Sequence, residues 1–406
     1  MIRTIRSGIS AMTIAAGVLT AMVAAVPSFA SITDAVPKLG PKPVVFAPAV
    51  ARQGSGNDAF YGVSCISWTR CVAVGTRLAG SSALRPLAER WTGSRWQVNA
   101  VPRPAKTAHA ILASVSCQSR NNCVAVGYHY GQHYALLAEA WNGRRWKIIR
   151  SANPAGQFSA FFNAVACQPR VGCLAVGGQS GRTGSGHAFA VRWVSGHWQA
   201  LKLHSPAGAQ ATELNGISCD AGACMAVGEY LDANGRGWTL AERWDGKSWQ
   251  LLHSVSVRAP LSVLYDVSCE TAKVCMAVGG SQWSRQYPLA EIWQNGRWQR
   301  VFGGKVPGGV LNGVSCAVKS GCMAAGVRGS KPLTEAWSGK NWKVTQTPKA
   351  SRRLTGSLSQ LSCRTGKGGR CVTVGARFAP ASPTAQKTLA EWWSGKTWHL
   401  MTTSNP

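Results

Sequence analysis

Seven cysteine pairs recur along this chain, with steps of 52, 50, 52, 50, 47 and 47 residues between their first members. They are Cys65/Cys71, Cys117/Cys123, Cys167/Cys173, Cys219/Cys224, Cys269/Cys275, Cys316/Cys322 and Cys363/Cys371. The same frame surrounds each pair: approximately L-x-x-V-S-C-x5-C-x-A-V-G, a variable stretch, then L-A-E-x-W-x-G-x-x-W. In the fourth unit it reads Leu214-Asn215-Gly216-Ile217-Ser218-Cys219, then Cys224-Met225-Ala226-Val227-Gly228. It closes with Leu240-Ala241-Glu242-Arg243-Trp244-Asp245-Gly246-Lys247-Ser248-Trp249. A unit of this size cannot bury its apolar face alone, so neighbouring units must stack.

Period-two alternation and turn chemistry divide each unit into four short strands. Strand a ends at the first cysteine, and strand b runs from the second to Val-Gly. Strand c carries Leu-Ala-Glu-x-Trp, and strand d starts at the second Trp. Asn142-Gly143 and Asp245-Gly246 lie between the two Trp, as a tight c–d hairpin requires. Seven such units closing into a ring predict an all-β, seven-bladed β-propeller over residues 60–406. Residues 31–59 precede it. Their stretch from Pro43 to Val50 is a candidate for closing the ring, although the last blade already has its own fourth strand from Trp398.

The chain has 406 residues, 45% of them hydrophobic and 15% charged. That composition excludes a disordered chain and a long coiled coil. The net charge of +29 comes from 44 Lys and Arg against only 15 Asp and Glu. Acids are scarce rather than bases abundant, and no block of like charge marks a nucleic-acid stripe. Any polyanion, nucleic acid included, is expected to bind non-specifically at low salt.

Residues 1–30 read as a secretory signal peptide. Arg3 and Arg6 precede an apolar run from Ile9 to Val26, and Ser28-Phe29-Ala30 supplies the small residues of a cleavage site. An uncleaved membrane anchor is the competing reading, because the run approaches spanning length. No later segment is apolar enough to span. Export predicts disulfides within each cysteine pair. Structural zinc would favour four ligands at closer spacing, whereas these pairs stand far apart. Each bridge should staple the a–b hairpin at its mouth, while two Trp per blade fill the gaps between sheets. Glu89, Glu139, Glu242, Glu291, Glu335 and Glu391 recur in strand c on the face of the Leu and Trp. They are read as buried acceptors of backbone or indole N–H groups, and Val191 takes the place in unit three.

The units resemble those of secreted actinobacterial β-propeller proteins carrying V-S-C-x5-C-x-A-V-G and L-A-E-x-W-N-G-x-x-W repeats. That group is similar in outline to kelch and galactose-oxidase propellers. The resemblance covers residues 60–406 and implies a fold and an extracellular or cell-envelope address, with no activity. Copper chemistry of the galactose-oxidase kind is not implied, because every Cys here sits in a repeat pair.

The b–c stretch varies most, from 6 to 13 residues between the Gly and the Leu. Variable loops on a rigid scaffold commonly carry binding. These stretches also hold off-frame aromatics beside cations, and the candidate binding residues are Tyr128, Tyr130, Arg236, Trp238, Trp283, Arg285 and Tyr287. The leading expectation is an extracellular binding or scaffold protein taking a glycan, an anionic polymer or a protein partner on the b–c/d–a face. The alternative is a carbohydrate-active enzyme using carboxylates of units four and five, namely Glu229, Asp232 and Asp266. No cofactor is expected. His129 and His133 lack the helix that would bring an i, i+4 pair onto one metal.

Overall fold

The computed structural model describes residues 58–404, apart from 80–82, 106, 108, 152, 183–185, 258, 283, 302–305, 319–320, 349–354, 365–369 and 380–381. Both the signal-peptide reading and the 43–50 closing stretch lie outside the described residues. Twenty-eight strands form seven four-stranded antiparallel sheets, each in simple sequence order. The blades span 59–99, 109–149, 159–201, 211–252, 261–301, 309–345 and 356–401. Strand a of each blade packs against strand a of both neighbours, blade 7 on blade 1 included, so these strands surround the axis. The chain is a seven-bladed β-propeller with one disulfide per blade.

All fourteen cysteines pair within their own blade, as the spacing predicts. In blades 1 to 4 the bridges are Cys65–Cys71, Cys117–Cys123, Cys167–Cys173 and Cys219–Cys224. In blades 5 to 7 they are Cys269–Cys275, Cys316–Cys322 and Cys363–Cys371. In the chain-entropy account a loop this short contributes roughly 2 kcal/mol. Six of the seven pairs stand directly opposite each other in the a–b ladder. The exception is Cys316 and Cys322, where the ladder is irregular between Ser315 and Val318.

Three expectations about strand limits are corrected. Strand a does not end at the first cysteine, nor does strand b begin at the second. Strand a runs one or two residues past Cys65, Cys117, Cys167, Cys219, Cys269, Cys316 and Cys363. Strand b starts one residue before Cys71, Cys123, Cys173, Cys224, Cys275, Cys322 and Cys371. The bridges therefore lie inside the hairpin ladder, because the few residues between the cysteines can still pair before the chain turns. At its other end strand b does not stop at Val-Gly. In blade 2 it runs Asn122–Tyr130 and strand c resumes at Tyr134, so the connection is only three residues. The alternation simply continues, with Tyr128 opposite Leu136 and Tyr130 opposite Tyr134. Aromatic residues suit a pleated, half-buried surface, and they extend the ladder rather than fill a loop.

The seven Trp pairs meet across the c–d hairpin with ring centroids 5.2–5.8 Å apart. Their indoles join clusters that straddle blades: Trp244 and Trp249 pack with Leu174 and Val176 of the preceding blade.

Two repeated polar residues bolt the blades together. The Ser before each first cysteine accepts a hydrogen bond from the backbone N–H of the next blade's first cysteine. Ser64 accepts from Cys117, Ser116 from Cys167, Ser218 from Cys269, Ser268 from Cys316, Ser315 from Cys363 and Ser362 from Cys65, all at 2.9–3.1 Å. Blade 3 has Ala166 instead, and there the Gln168 amide donates to the Cys219 carbonyl. In blades 4 and 5 the recurring Glu of strand c reaches the preceding blade's outgoing segment: Glu242 accepts from His204 N–H at 2.9 Å and Glu291 from Val255 N–H at 3.3 Å. A buried acceptor of this kind is costly to remove. Glu242→Ala should destabilise the fold by about 1–3 kcal/mol, because it leaves the His204 N–H unpaired, whereas Glu242→Gln retains an acceptor and should cost less. Urea unfolding with the disulfides intact distinguishes the two variants.

The same bolts close the ring. Ser404 donates through its backbone N–H to Glu89 at 3.2 Å and through its hydroxyl to the Trp96 carbonyl at 3.0 Å. Val372, Val374 and Met401 of blade 7 share one apolar cluster with Phe60, Leu87 and Trp96 of blade 1. Each blade among the described residues is built from its own four consecutive strands.

Candidate functional site

Two residues separate the apolar Leu or Phe from the apolar Val, Ile or Leu in strand a, where strict alternation allows one. The structure resolves this conflict with a β-bulge in every blade. The extra residues are Tyr61, Ala113, Asn163, Asn215, Tyr265, Asn312 and Ser359. All seven are half-buried, and all seven line one cavity of about 290 Å³ around the propeller axis. The cavity takes its walls from the first half of strand a, so it lies toward the b–c and d–a connections.

The bulge also explains the recurring Gly of strand b. A Cβ on Gly75, Gly127, Gly177, Gly228, Gly279, Gly326 or Gly375 would sit 1.9–2.1 Å from a strand a carbonyl oxygen. The bulge turns that carbonyl onto the glycine, and no side chain can share the space.

The lining is chemically two-sided. Tyr61, Ile111 and Tyr128 come from blades 1 and 2, and Tyr128 packs edge-on to Tyr134 at 5.3 Å. About half a turn round the ring, blades 3 to 6 supply Asn163, Glu213, Asn215, Asp266 and Asn312. The Asn163 amide donates to Glu213 at 2.7 Å and to the Leu214 carbonyl at 3.0 Å. Asn215 and Asn312 repeat the carbonyl contact, donating to Leu264 at 3.1 Å and Leu358 at 2.8 Å. The amide N–H groups thus lock adjacent blades; the Asn215 oxygen accepts from the Asn163 amide at 3.3 Å, and the Asn312 oxygen remains as an acceptor. Asp266 accepts from Val314 N–H at 2.8 Å.

Burial pushes the carboxyl of Glu213 up to about 8, opposed by the Asn163 hydrogen bond. Burial likewise raises Asp266 to about 7, and it holds Glu229 well above the ordinary carboxylate range, with the neighbouring Glu213 adding to the effect on Glu229. Glu213 and Glu229 stand opposite each other in the a–b ladder. The Tyr61 hydroxyl is raised to about 12 by burial, and Tyr265 is raised by burial and by both glutamates. At neutral pH the cavity is therefore rich in neutral hydroxyl, amide and carboxyl groups.

Of the residues singled out from the sequence, the structure brings Tyr128 to this cavity. It is buried there, 6% exposed. Tyr130 is exposed on the same strand, 4.9 Å from the Tyr134 ring. Arg236, Arg285 and Tyr287 are exposed elsewhere on the b–c side, and Trp283 lies outside the described residues. Trp238 is half-buried, and its indole N–H donates to Asp232 at 2.9 Å. The acidic trio does not assemble: Asp266 lines the cavity and Glu229 is buried behind Glu213. Asp232 builds an exposed turn by accepting from Asn234 and Arg236 N–H groups at 2.8 and 3.0 Å. A short polar side chain capping its own turn is ordinary turn chemistry. Tyr61, Tyr265 and the three asparagines were missed, although the doubled spacing in Leu-x-x-Val was visible.

No family model and no curated protein matches this chain. Solved structures match in fold. YCF48 bound to D1 peptide aligns with a TM-score of 0.50 and 12% identity over 82% of this chain and 94% of that one. YCF48 from Cyanidioschyzon merolae gives 0.46 and 13%, over 80% and 96%. The six-bladed fucose-recognising lectin of Aleuria aurantia gives 0.43 and 13%, over 86% and 96%. At such identities the likeness extends to the propeller fold and no further.

Proposed function

We propose that this protein is an extracellular binding propeller that takes a sugar unit of a glycan in its axial cavity, from the b–c/d–a face. The observation that carries the reading is the convergence of all seven bulge residues, which vary among Tyr, Asn, Ala and Ser, on one cavity inside an otherwise repeated frame. Sugar rings need an apolar or aromatic face and a set of hydroxyl partners. Tyr61 and Tyr128 supply the first, and the oxygens of Asn163, Asn215, Glu213 and Asp266 the second. The volume lies near the lower end of the ~300–1,000 Å³ common for small-molecule sites, which suits one sugar residue. The export reading of residues 1–30 and the seven disulfides support an extracellular address. Tyr130, Tyr287, Arg236 and Arg285 would contact the rest of the polymer.

A glycan and cell-wall polymer panel, read across a salt series, tests this. We expect one glycan to survive high salt and to lose about tenfold or more in affinity with Tyr61→Ala, as loss of an aromatic stacking partner implies. Binding confined to polyanions, collapsing as salt rises, would reduce the result to net charge. Loss with Trp238→Ala or Tyr287→Ala but not Tyr61→Ala would move the ligand from the cavity to the rim.

A second reading, hydrolysis of the bound glycan, draws on Glu213 and Asp266 lining one cavity with carboxyls held near neutrality. A protonated carboxyl near pH 7 is what general acid catalysis requires. If the panel shows turnover, Asp266→Asn or Glu213→Gln should abolish it while binding persists. Turnover unaffected by either variant would end this reading.

A further inference from the structure

The opposite face, formed by the a–b and c–d hairpins, carries a second feature at the junction of blades 1 and 2. A cleft of about 350 Å³ is lined by three arginines, Arg70 and Arg90 from blade 1 and Arg120 from blade 2, with no carboxylate among the described residues of its walls. Arg70 and Arg120 are exposed and Arg90 is half-buried. The Arg90 guanidinium lies over the Trp141 ring, 5.5 Å from its centroid, and the Trp141 indole N–H donates to the Arg120 carbonyl at 3.1 Å. One tryptophan therefore packs against the Arg90 guanidinium and holds the Arg120 main chain.

The repeat provides an internal comparison. The corresponding positions at the junction of blades 7 and 1 are Arg370, Trp392 and Trp68. There the single guanidinium lies 4.2 Å from the Trp68 centroid and 5.8 Å from that of Trp392, and Trp392 stacks on His399 at 4.6 Å. That cation is covered by aromatic faces. In the cleft between blades 1 and 2, arginines occupy all three positions and the space between them stays open. Among the described residues no carboxylate lines the cleft, and ten of the fourteen described carboxylates are buried. Three guanidiniums converging on one cleft repel each other unless an anion sits among them. Their forked donors match the oxygens of a tetrahedral dianion.

We propose that this cleft is an oxyanion site that takes a phosphate or sulfate group carried on an extracellular polymer. It is separate from the axial cavity, lies on the other face and does not depend on the glycan reading. Ser119 and Asn121 at the cleft wall add hydroxyl and amide contacts beside the charges.

The test compares fluorescein-labelled dextran sulfate, poly(glycerol phosphate) and polygalacturonate at physiological ionic strength. The proteins are the full chain and two double variants of equal net charge. Arg70→Ala/Arg120→Ala empties the cleft of its exposed cations. Lys247→Ala/Lys273→Ala removes two exposed cations from blades 4 and 5, away from the cleft. We expect the cleft variant to bind the sulfate or the phosphate polymer about tenfold or more weakly, and the control variant to stay within about twofold, because charge-assisted contacts are local. The more affected polymer identifies which ester is the source. Equal losses in both variants would show diffuse attraction to a cationic surface and overturn the site. No loss in either would overturn it as well. Polygalacturonate held as tightly as the esters, and lost equally in the cleft variant, would overturn the tetrahedral assignment. Both cleft substitutions are at exposed side chains, so unchanged thermal unfolding should confirm an intact fold.

Discussion

Gly228→Ala is expected to destabilise the propeller by about 3 kcal/mol or more, or to prevent its accumulation as folded protein. The new Cβ would lie 2.0 Å from the Glu213 carbonyl oxygen and 2.8 Å from the Leu214 Cα, both backbone atoms of the bulge. Backbone cannot swing aside as a side chain can. Relief requires loss of the bulge, and a one-residue change of register turns every later side chain of strand a to the wrong face. The damage should extend beyond one contact, because Asn215 sits in that bulge and holds the Leu264 carbonyl of blade 5. Gly131→Ala provides the control. A Cβ there meets nothing within 4 Å, and Gly131 is absent from the residues with positive φ. Chemical denaturation of both variants with disulfides intact decides the matter. A Gly228→Ala protein as stable as the Gly131→Ala protein would mean that the bulge is not there.

Stability is also expected to fall as the pH rises from about 4.5 to 8. Burial holds the carboxyls of Glu139 and Glu213 up to about 8, and those of Glu242, Glu291 and Asp266 up to about 7. These are acids with folded pKa values above their unfolded ones. Between the two values the folded state binds more protons than the unfolded state, so stability declines with rising pH. The contribution is complete below the unfolded values, near 4, and is lost as pH passes through the folded values, near 7 to 8. At ~1.4 kcal/mol per pK unit, one such group contributes on the order of 3–5 kcal/mol, so even one or two of the five would lower Tm by about 10 °C across this range. The sign is diagnostic. Self-repulsion in a chain of +29 would weaken as histidines deprotonate, so net charge alone predicts higher stability at pH 8 than at pH 5. Thermal unfolding across this range should show the fall, and Glu139→Gln should flatten it. A rising Tm would show that these carboxyls are solvated.

How far the sequence could be read depended on whether a residue's role lay within one unit. Cys219 and Cys224 face each other across a hairpin, so spacing together with the export reading of residues 1–30 was enough to pair them. Trp244 and Trp249 flank a tight turn, and Glu242 shares their face. Each conclusion follows from local periodicity. Ser218 sits in the frame as plainly, yet its acceptor role was not legible, because its donor, Cys269 N–H, belongs to the next blade. The candidate site was harder still. Asp232 and Trp238 looked like site residues by composition, but they bond each other around a turn. Tyr61, Asn163 and Tyr265 looked like filler between apolar positions.

The sequence by itself determined the unit: its four strands, its disulfide, its paired tryptophans, its repeated acid and the number of copies. Those features arise from contacts between near neighbours in the chain, which leave a periodic trace. Only the tertiary structure decided where strand alternation breaks, which side chains the bulges turn to the axis, and how blade 7 meets blade 1. Those outcomes depend on seven twisted sheets closing on one axis, where residues some fifty positions apart become adjacent. A linear pattern carries no record of such a juxtaposition until the ring is closed.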